Sequence, residues 1–265
     1  MVFSADWLTL REPADHAARS AAVTRAAIDA LVRVSRVRVL DLGSGTGSNL
    51  RYLHHRLGAS EWLMVDYDAA LLTKVPRVPG VETRCRDLST LDDRSIFDGR
   101  TLVTASALLD LVSEAWMESL AARCAETGAT VLFALSYDGR IECTPQDPDD
   151  GMVAGLVNQH QRTGKGFGLA LGPDATDCAA RCFAGLGYHV QRDRSDWTLG
   201  PGEEELQRQL IDGWASAAAE MAPAQSAMID GWRRRRLAHI EAQHSRIIVG
   251  HEDLCGILGA KDLRI

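Results

Sequence analysis

The 265-residue sequence predicts an α/β fold: a doubly wound, mostly parallel sheet of seven strands with an antiparallel edge. Three observations lead there. β-branched runs alternate with helical segments at the spacing of right-handed crossovers, which place helices on both faces of a parallel sheet. An apolar run carrying Asp41 meets three glycines set two residues apart, in VLDLGSGTGSNL at positions 39–50. The composition, 46% hydrophobic and 25% charged, suits one large globular domain over 1–265 that needs neither disulfides nor metal to bury a core.

The elements follow in order. Within an N-terminal segment, 1–34, residues 14–33 are alanine-rich with apolar periodicity and read as a helix. Residues 36–42 form a β-branched strand running into the glycines, and 49–57 a helix leaving them. Residues 62–66 are a second strand, 69–75 a short helix, 81–85 a third strand and 100–105 a fourth. Residues 114–126 are helical, and 129–137 (ATVLFALSY) are a fifth strand. The rhythm then breaks into an insertion, 138–173, punctuated by proline and glycine, with one short helix at 152–161. A helix at 175–186 and a strand at 188–199 follow. A helical pair, 203–244, is divided at Pro223, and the last strand spans 246–258.

Charge and composition exclude several classes. A net charge of −7 argues against a broad surface for nucleic-acid phosphates or anionic lipid. Only Lys74, Lys165 and Lys261 are lysines among 29 basic residues, so the arginine excess reads as base-composition bias. No apolar run approaches the ~20 residues of a membrane span. The first residues, MVFSADWLTLREPAD, carry charge where a secretory leader needs an apolar stretch, so a cytoplasmic protein is expected. The six cysteines are scattered without a Cys-x-x-Cys, and buried free thiols are expected rather than a metal site.

Three ligands compete for the glycine loop. A triphosphate loop needs Gly-Lys-Ser/Thr after its first glycine, and no lysine is near. A dinucleotide loop wants glycines at relative positions one, three and six; here position six is Ser48 and the third glycine falls at five. S-adenosylmethionine carries a sulfonium and an amino-acid end whose ammonium needs an acceptor. Asp41, at the carboxyl end of the first strand, supplies one, and glycines let the backbone approach the ligand.

VLDLGSGTGSNL resembles the first motif of the class I S-adenosylmethionine-dependent methyltransferases, a Rossmann-like family. The resemblance implies that Asp41, Gly43, Ser44, Gly45 and Gly47 hold the cofactor's methionine side. It implies that Asp66, in WLMVDYD, holds the ribose hydroxyls, with Tyr67 packing the adenine. In CRDLS, Asp87 accepts from the adenine amine and Leu88 follows it. It covers residues 36–137 by motif and the later strands by pattern alone.

The acceptor belongs beyond the carboxyl ends of the fourth and fifth strands. No Asn-Pro-Pro-Tyr or Asp-Pro-Pro-Tyr follows the fourth strand, unlike the branch that methylates exocyclic amines of nucleobases or glutamine. Ser106 stands there, facing the methionine end or the acceptor. Asp110 is either a catalytic group or the cap of the next helix. Tyr137 ends the fifth strand. In the insertion, NQHQRTGKGFG offers His160 as a base and Arg162 and Lys165 as donors to an anionic or carbonyl-rich acceptor; the competing reading is a solvated helix end. Trp7 and Arg11 suit either a lid or core packing. Ile211-Asp212-Gly213-Trp214 recurs 18 residues on as Ile229-Asp230-Gly231-Trp232, for helix packing or an aromatic pocket floor. The run Arg233 to Arg236 reads as a solvated face before a nucleic-acid contact.

The expectation is methyl transfer from S-adenosylmethionine to a small-molecule acceptor by in-line displacement, with no metal, membrane or nucleic-acid partner. An RNA or protein acceptor, or a non-catalytic cofactor-binding module, is the alternative.

Overall fold

The computed structural model describes residues 3–259. Met1, Val2 and 260–265, Lys261 among them, lie outside the described residues, as do those ends of the expected 1–265 domain. The chain opens with two helices, α1 (Ala5–Ala18) and α2 (Ala21–Leu31), where the sequence predicts one. They part at Ser20, whose Oγ accepts from the Val23 N–H at 3.2 Å and whose own N–H donates to Asp253 at 2.9 Å. A serine with a helix to cap and a buried carboxylate to meet overrides the alanine-rich propensity around it.

Next come β1 (Val37–Leu42), α3 (Ser48–Leu57), β2 (Ser60–Asp66), the single turn α4 (Ala69–Leu72), β3 (Val81–Cys85), β4 (Leu102–Ser106) and α5 (Glu114–Thr127). β5 (Thr130–Thr144) runs seven residues past the expected end at Tyr137, so the insertion begins as sheet. The continuation is held by the last strand: Ile141 pairs Val249 and Thr144 pairs Arg246, after two register shifts. At the first shift Leu135 adopts a left-handed conformation, and its N–H donates to the Asp253 carboxylate at 2.9 Å.

The remaining elements are α6 (Asp150–Gln161), α7 (Ala175–Gly185), β6 (Tyr188–Arg194), β7 (Trp197–Leu199), α8 (Glu204–Met221), α9 (Ser226–Glu241) and β8 (Arg246–Leu258). The strand expected over 188–199 splits into β6 and β7 because Asp196 turns aside, accepting from Arg140 at 2.5 Å and from the His251 N–H at 3.2 Å.

The strand order is β3-β2-β1-β4-β5-β8-β6, with β7 also on β8. β1 to β5 are parallel to one another, and antiparallel pairing is confined to β8 with β5, β6 and β7. Alternation along β1 sends Leu40 and Leu42 into a cluster with α5 and α7, and Val39 into one with α2 and α3. A third cluster fills the space between the β7–β8 end of the sheet and α6, α8 and α9.

That third cluster absorbs two features of the sequence. Trp214 and Trp232 pack helix against helix within it and do not line the cavity over the strand ends. In the arginine run, Arg233 meets Asp212 at 2.7 Å, Arg235 meets Asp147 at 2.6 Å, and buried Arg236 bonds Asp150 and the Pro145 carbonyl. The insertion's own acids thus neutralise much of the run.

Candidate active site

A cavity of about 680 Å³ lies across the carboxyl ends of β3, β2, β1 and β4, within the size range of small-ligand sites. Its floor is the turn from β1 into α3. Gly43, Gly45 and Gly47 all have positive φ (64°, 53° and 88°), which side-chain-bearing residues rarely adopt. The missing side chains also admit neighbours: a Cβ on Gly45 would lie 3.1 Å from Leu8 of α1, and one on Gly43 would lie 3.3 Å from Leu108. At the end of β4, Ala107 also has a positive φ, 52°, a strained conformation at the cavity wall.

Beneath the loop lies a buried polar network. Asn49 Nδ2 donates to Asp41 Oδ1 at 2.9 Å and to Thr104 Oγ1 at 3.0 Å, and the Thr104 hydroxyl donates to the Leu132 carbonyl at 2.6 Å. Arg19 donates to Asn49 Oδ1 at 3.0 Å, lies 3.4 Å from the Asp253 carboxylate and stacks on Tyr52. Burial pushes the Asp41 carboxyl up to about 7, with Asp66 adding to the rise and Asn49 and Arg19 opposing it. Asp41 Oδ2 and Ser44 Oγ are buried without a hydrogen-bond partner among the described residues. Such orphans are costly, and an ammonium or amide donor in the cavity would satisfy them.

Asp66 ends β2 and is buried. Its Oδ2 accepts from the Gly45 N–H at 2.8 Å and its Oδ1 from the Asp68 N–H at 2.9 Å. Both bonds orient the carboxylate, and each oxygen keeps a lone pair for a further donor. Tyr67 is half-exposed beside it. Asp87 follows β3; the Ser89 N–H, 2.8 Å from its Oδ1, holds its carboxyl below the usual range. Asp87, Leu88 and Ser106 line the same cavity. Nine of the ten residues expected to hold the cofactor therefore line one cavity; the tenth, Gly47, stands at the N-cap of α3.

The acceptor-side candidates separate. Lys165 lines the cavity and is 9% exposed. His160 stands behind it, Nδ1 facing the Lys165 ammonium at 3.3 Å and Nε2 facing Glu220 at 3.2 Å, and does not reach the cavity wall. Arg162 turns away to Asp174 at 2.9 Å, and the Tyr137 hydroxyl donates to Asn158 at 2.7 Å inside the third cluster. Grouping all three insertion side chains with Tyr137 at one site needs correction, because Asp174 and Asn158 offer nearer partners. Asp110 is not a helix cap: Ser113 caps α5, accepting from the Trp116 N–H at 3.3 Å. Asp110 is buried in the turn after β4 with Oδ1 unpartnered among the described residues, and burial pushes its carboxyl up to about 6.

The sequence left Trp7 and Arg11 between lid and core; it did not point to the face of α1 that meets the glycine turn. Leu8, Glu12 and His16 recur at four-residue spacing, so they share one helix face. Leu8 touches Gly45, Glu12 pairs with Arg51, whose NH1 also donates to the Thr46 carbonyl at 2.7 Å, and His16 Nε2 lies 3.1 Å from Ser48 Oγ. Arg11 lines the cavity, held by Asp15 at 2.9 Å and stacked on Trp197, whereas Trp7 packs into the third cluster. The network partner Asn49 was also missed; a polar residue on the otherwise apolar inner face of α3 was its signal.

No protein-family model matches the chain, and no curated protein matches it. Solved structures do. The chain is similar to the cyclopropane synthase MmaA2 from Mycobacterium tuberculosis (11% identity, TM-score 0.52, 96% of this chain and 94% of that one). It is similar to a SAM-dependent methyltransferase from Geobacter sulfurreducens in complex with S-adenosyl-L-homocysteine (16% identity, TM-score 0.50, 98% and 100%). It is also similar to the YcgJ protein from Bacillus subtilis (12% identity, TM-score 0.51, 91% and 100%). Strand order, glycine loop and these likenesses agree: the chain has the Rossmann-like fold of the class I S-adenosylmethionine-dependent methyltransferases.

Proposed function

We propose that this chain binds S-adenosylmethionine and transfers its methyl group to a small-molecule acceptor. The observation that carries the reading is the cavity itself, in which a three-glycine turn, the buried and half-satisfied Asp41, and Asp66 and Asp87 are gathered at the ends of three adjacent strands. S-adenosylmethionine, when bound, supplies an electrophilic methyl carbon on a sulfonium.

The chain's residues bind, orient and shield. Asp41 Oδ2 and Ser44 Oγ accept from or donate to the methionine end, Asp66 holds the ribose hydroxyls, Tyr67 and Leu88 pack the adenine, and Asp87 accepts from its amine. Leu8 and Arg11 of α1 cover the glycine turn and limit water. Positioning supplies much of the catalysis in such a displacement. Where the accepting atom carries a proton, Asp110 is the base we assign: it lies behind the wall, in the turn that carries the cavity-lining Leu108 and Leu111, with Oδ1 unpartnered among the described residues and a carboxyl raised to about 6, ionised yet basic near neutrality. His160, bonded on both ring nitrogens, orients Lys165. The acidic net charge favours a small molecule over RNA as acceptor. All six cysteines are free thiols, as suits the cytoplasm, and no described helix is long and apolar enough to cross a membrane.

Calorimetry tests the reading. S-adenosylmethionine or S-adenosylhomocysteine should bind, and NAD and NADP should not; tight dinucleotide binding without either adenosyl compound would overturn it.

A further inference from the structure

Lys165 is a nearly buried cation without a carboxylate. Its ammonium meets His160 Nδ1 at 3.3 Å and Thr163 Oγ1 at 3.1 Å, which occupies two of its three donors. Among the described residues no acid lies in ion-pair contact with it; Glu220 and Asp110 act on it only from a distance. Burying an ammonium costs free energy unless an anion completes it.

A capping role does not explain the placement. The last turn of α6 is already closed: the Arg162 N–H donates to the Gln159 carbonyl at 3.2 Å, and the Thr163 N–H and hydroxyl both donate to the His160 carbonyl, at 3.1 and 2.8 Å. Lys165 instead bonds two side chains, Thr163 Oγ1 and His160 Nδ1, and lines the cavity. The segment carrying it is fixed on both sides, by a Gly164–Leu169 bridge and by Phe167, which pairs with Val112 and packs edge-on against Trp116. The Glu220–His160–Lys165 chain holds the ammonium from behind, with His160 accepting at Nδ1 and its Nε2–H donating to Glu220.

Position in the cavity says what the cation is for. Asp66, Tyr67 and Asp87 stand over β2 and β3, at one end of the parallel set. Lys165 lines the opposite side, on the segment bridged to the turn after β4, beside Leu108 and Leu111 and near Asp110. That is the side left for an acceptor once the nucleoside end is assigned.

From this geometry we infer that the acceptor is a small organic anion whose compact anionic group seats on the Lys165 ammonium. The inference rests on the methyl-transfer reading and specifies its substrate class. Lys165 is the specificity-determining residue, and neutral analogues of the acceptor are rejected because they leave the ammonium unpaired.

The test titrates near-isosteric probe pairs, acetate with acetamide and benzoate with benzamide, together with inorganic phosphate, against the S-adenosylhomocysteine-loaded protein and the unloaded protein. At least one anion should bind tenfold or more tighter than its neutral twin. Lys165→Met should remove that preference, while Lys74→Met, at an exposed lysine, should keep it. Carboxylate or phosphate preference then identifies the anion. Equal binding of charged and neutral twins, or a preference that survives Lys165→Met, overturns the inference. Should Lys165→Met fail to fold, as judged by circular dichroism, Lys165→Gln takes its place, and the wild-type comparison of twins still decides. Failure of S-adenosylhomocysteine to bind at all strikes the methyl-transfer reading instead, and is seen separately.

Discussion

The two sides of the cavity are built on opposite terms. On the side of β1 and β2 the polar groups are tied down by neighbours, Asp41 Oδ2 and Ser44 Oγ excepted: Asp66 is held by two backbone N–H groups, Asn49 bridges Asp41 to Thr104, and Arg19 pairs with Asp253 in the layer below. On the side beyond β4, among the described residues, Asp110 behind the wall has an unpartnered oxygen and Lys165 on the wall lacks a counter-ion in contact. The first side has its carboxylates fixed in orientation with two polar atoms left over; the second has a charge and a carboxylate with no fixed partner. A binding region needs rigidity, and a reacting region needs groups whose protons and charges are not already committed.

The largest expected effect breaks the organised side. Gly45→Val places a β-branched residue at a φ of 53°, with its Cβ against Leu8, and should abolish measurable S-adenosylhomocysteine binding by calorimetry. A variant that still binds within threefold of wild type would show that the turn is not the cofactor seat.

On the incomplete side, Asp110→Asn should lower turnover of a proton-bearing acceptor by about a hundredfold, the scale of general-base catalysis, with cofactor affinity unchanged. Turnover by the unaltered protein should rise as pH passes about 6, where Asp110 ionises, and the variant should lose that rise. Stability carries the same sign check. The folded state keeps the Asp110 proton up to about 6, whereas an unfolded aspartate releases it near 3.8, so this group makes stability fall as pH rises between them. Denaturant titrations of the variant against wild type should therefore shift in the variant's favour by up to about 3 kcal/mol between pH 4 and 7. Asp41 contributes with the same sign, and His251, pushed down to about 3 by burial, with the opposite sign; both cancel in this comparison.

Asp66→Ala should weaken cofactor affinity at least tenfold, since each hydrogen bond to a charged group is worth about 1.5–3 kcal/mol. An unchanged dissociation constant would remove β2 from the site. The smallest effect should come from Arg51→Ala, which cuts the tie between α1 and the glycine turn. The pair is partly exposed, so about 0.2–1 kcal/mol is at stake, and affinity should drop no more than about fivefold. A loss as large as that of Gly45→Val would make α1 part of the seat rather than its cover.

What the sequence by itself determined is local in origin. Continuous apolar runs located β1, β2, β4 and the start of β5, because a strand buried on both faces is apolar nearly throughout; β3, VETRC at the sheet's edge, followed only from its spacing. The lining of the cavity was legible because Asp41, Gly43, Gly45, Asp66 and Asp87 each stand at or just after the carboxyl end of a parallel strand, and such ends share one edge of the sheet. The tertiary structure decided what depends on partners distant in sequence. Asp253, over 200 residues from Ser20, splits the N-terminal helix. β8 draws β5 out to Thr144 and, with Asp196 turned aside, leaves β7 separate from β6. Of the polar group in the insertion, Asp174 takes Arg162, Glu220 takes His160, and only Lys165 is left to face the cavity. A side chain's direction is set by whichever partner lies within about 3 Å of it, and for these residues that partner comes from another part of the chain.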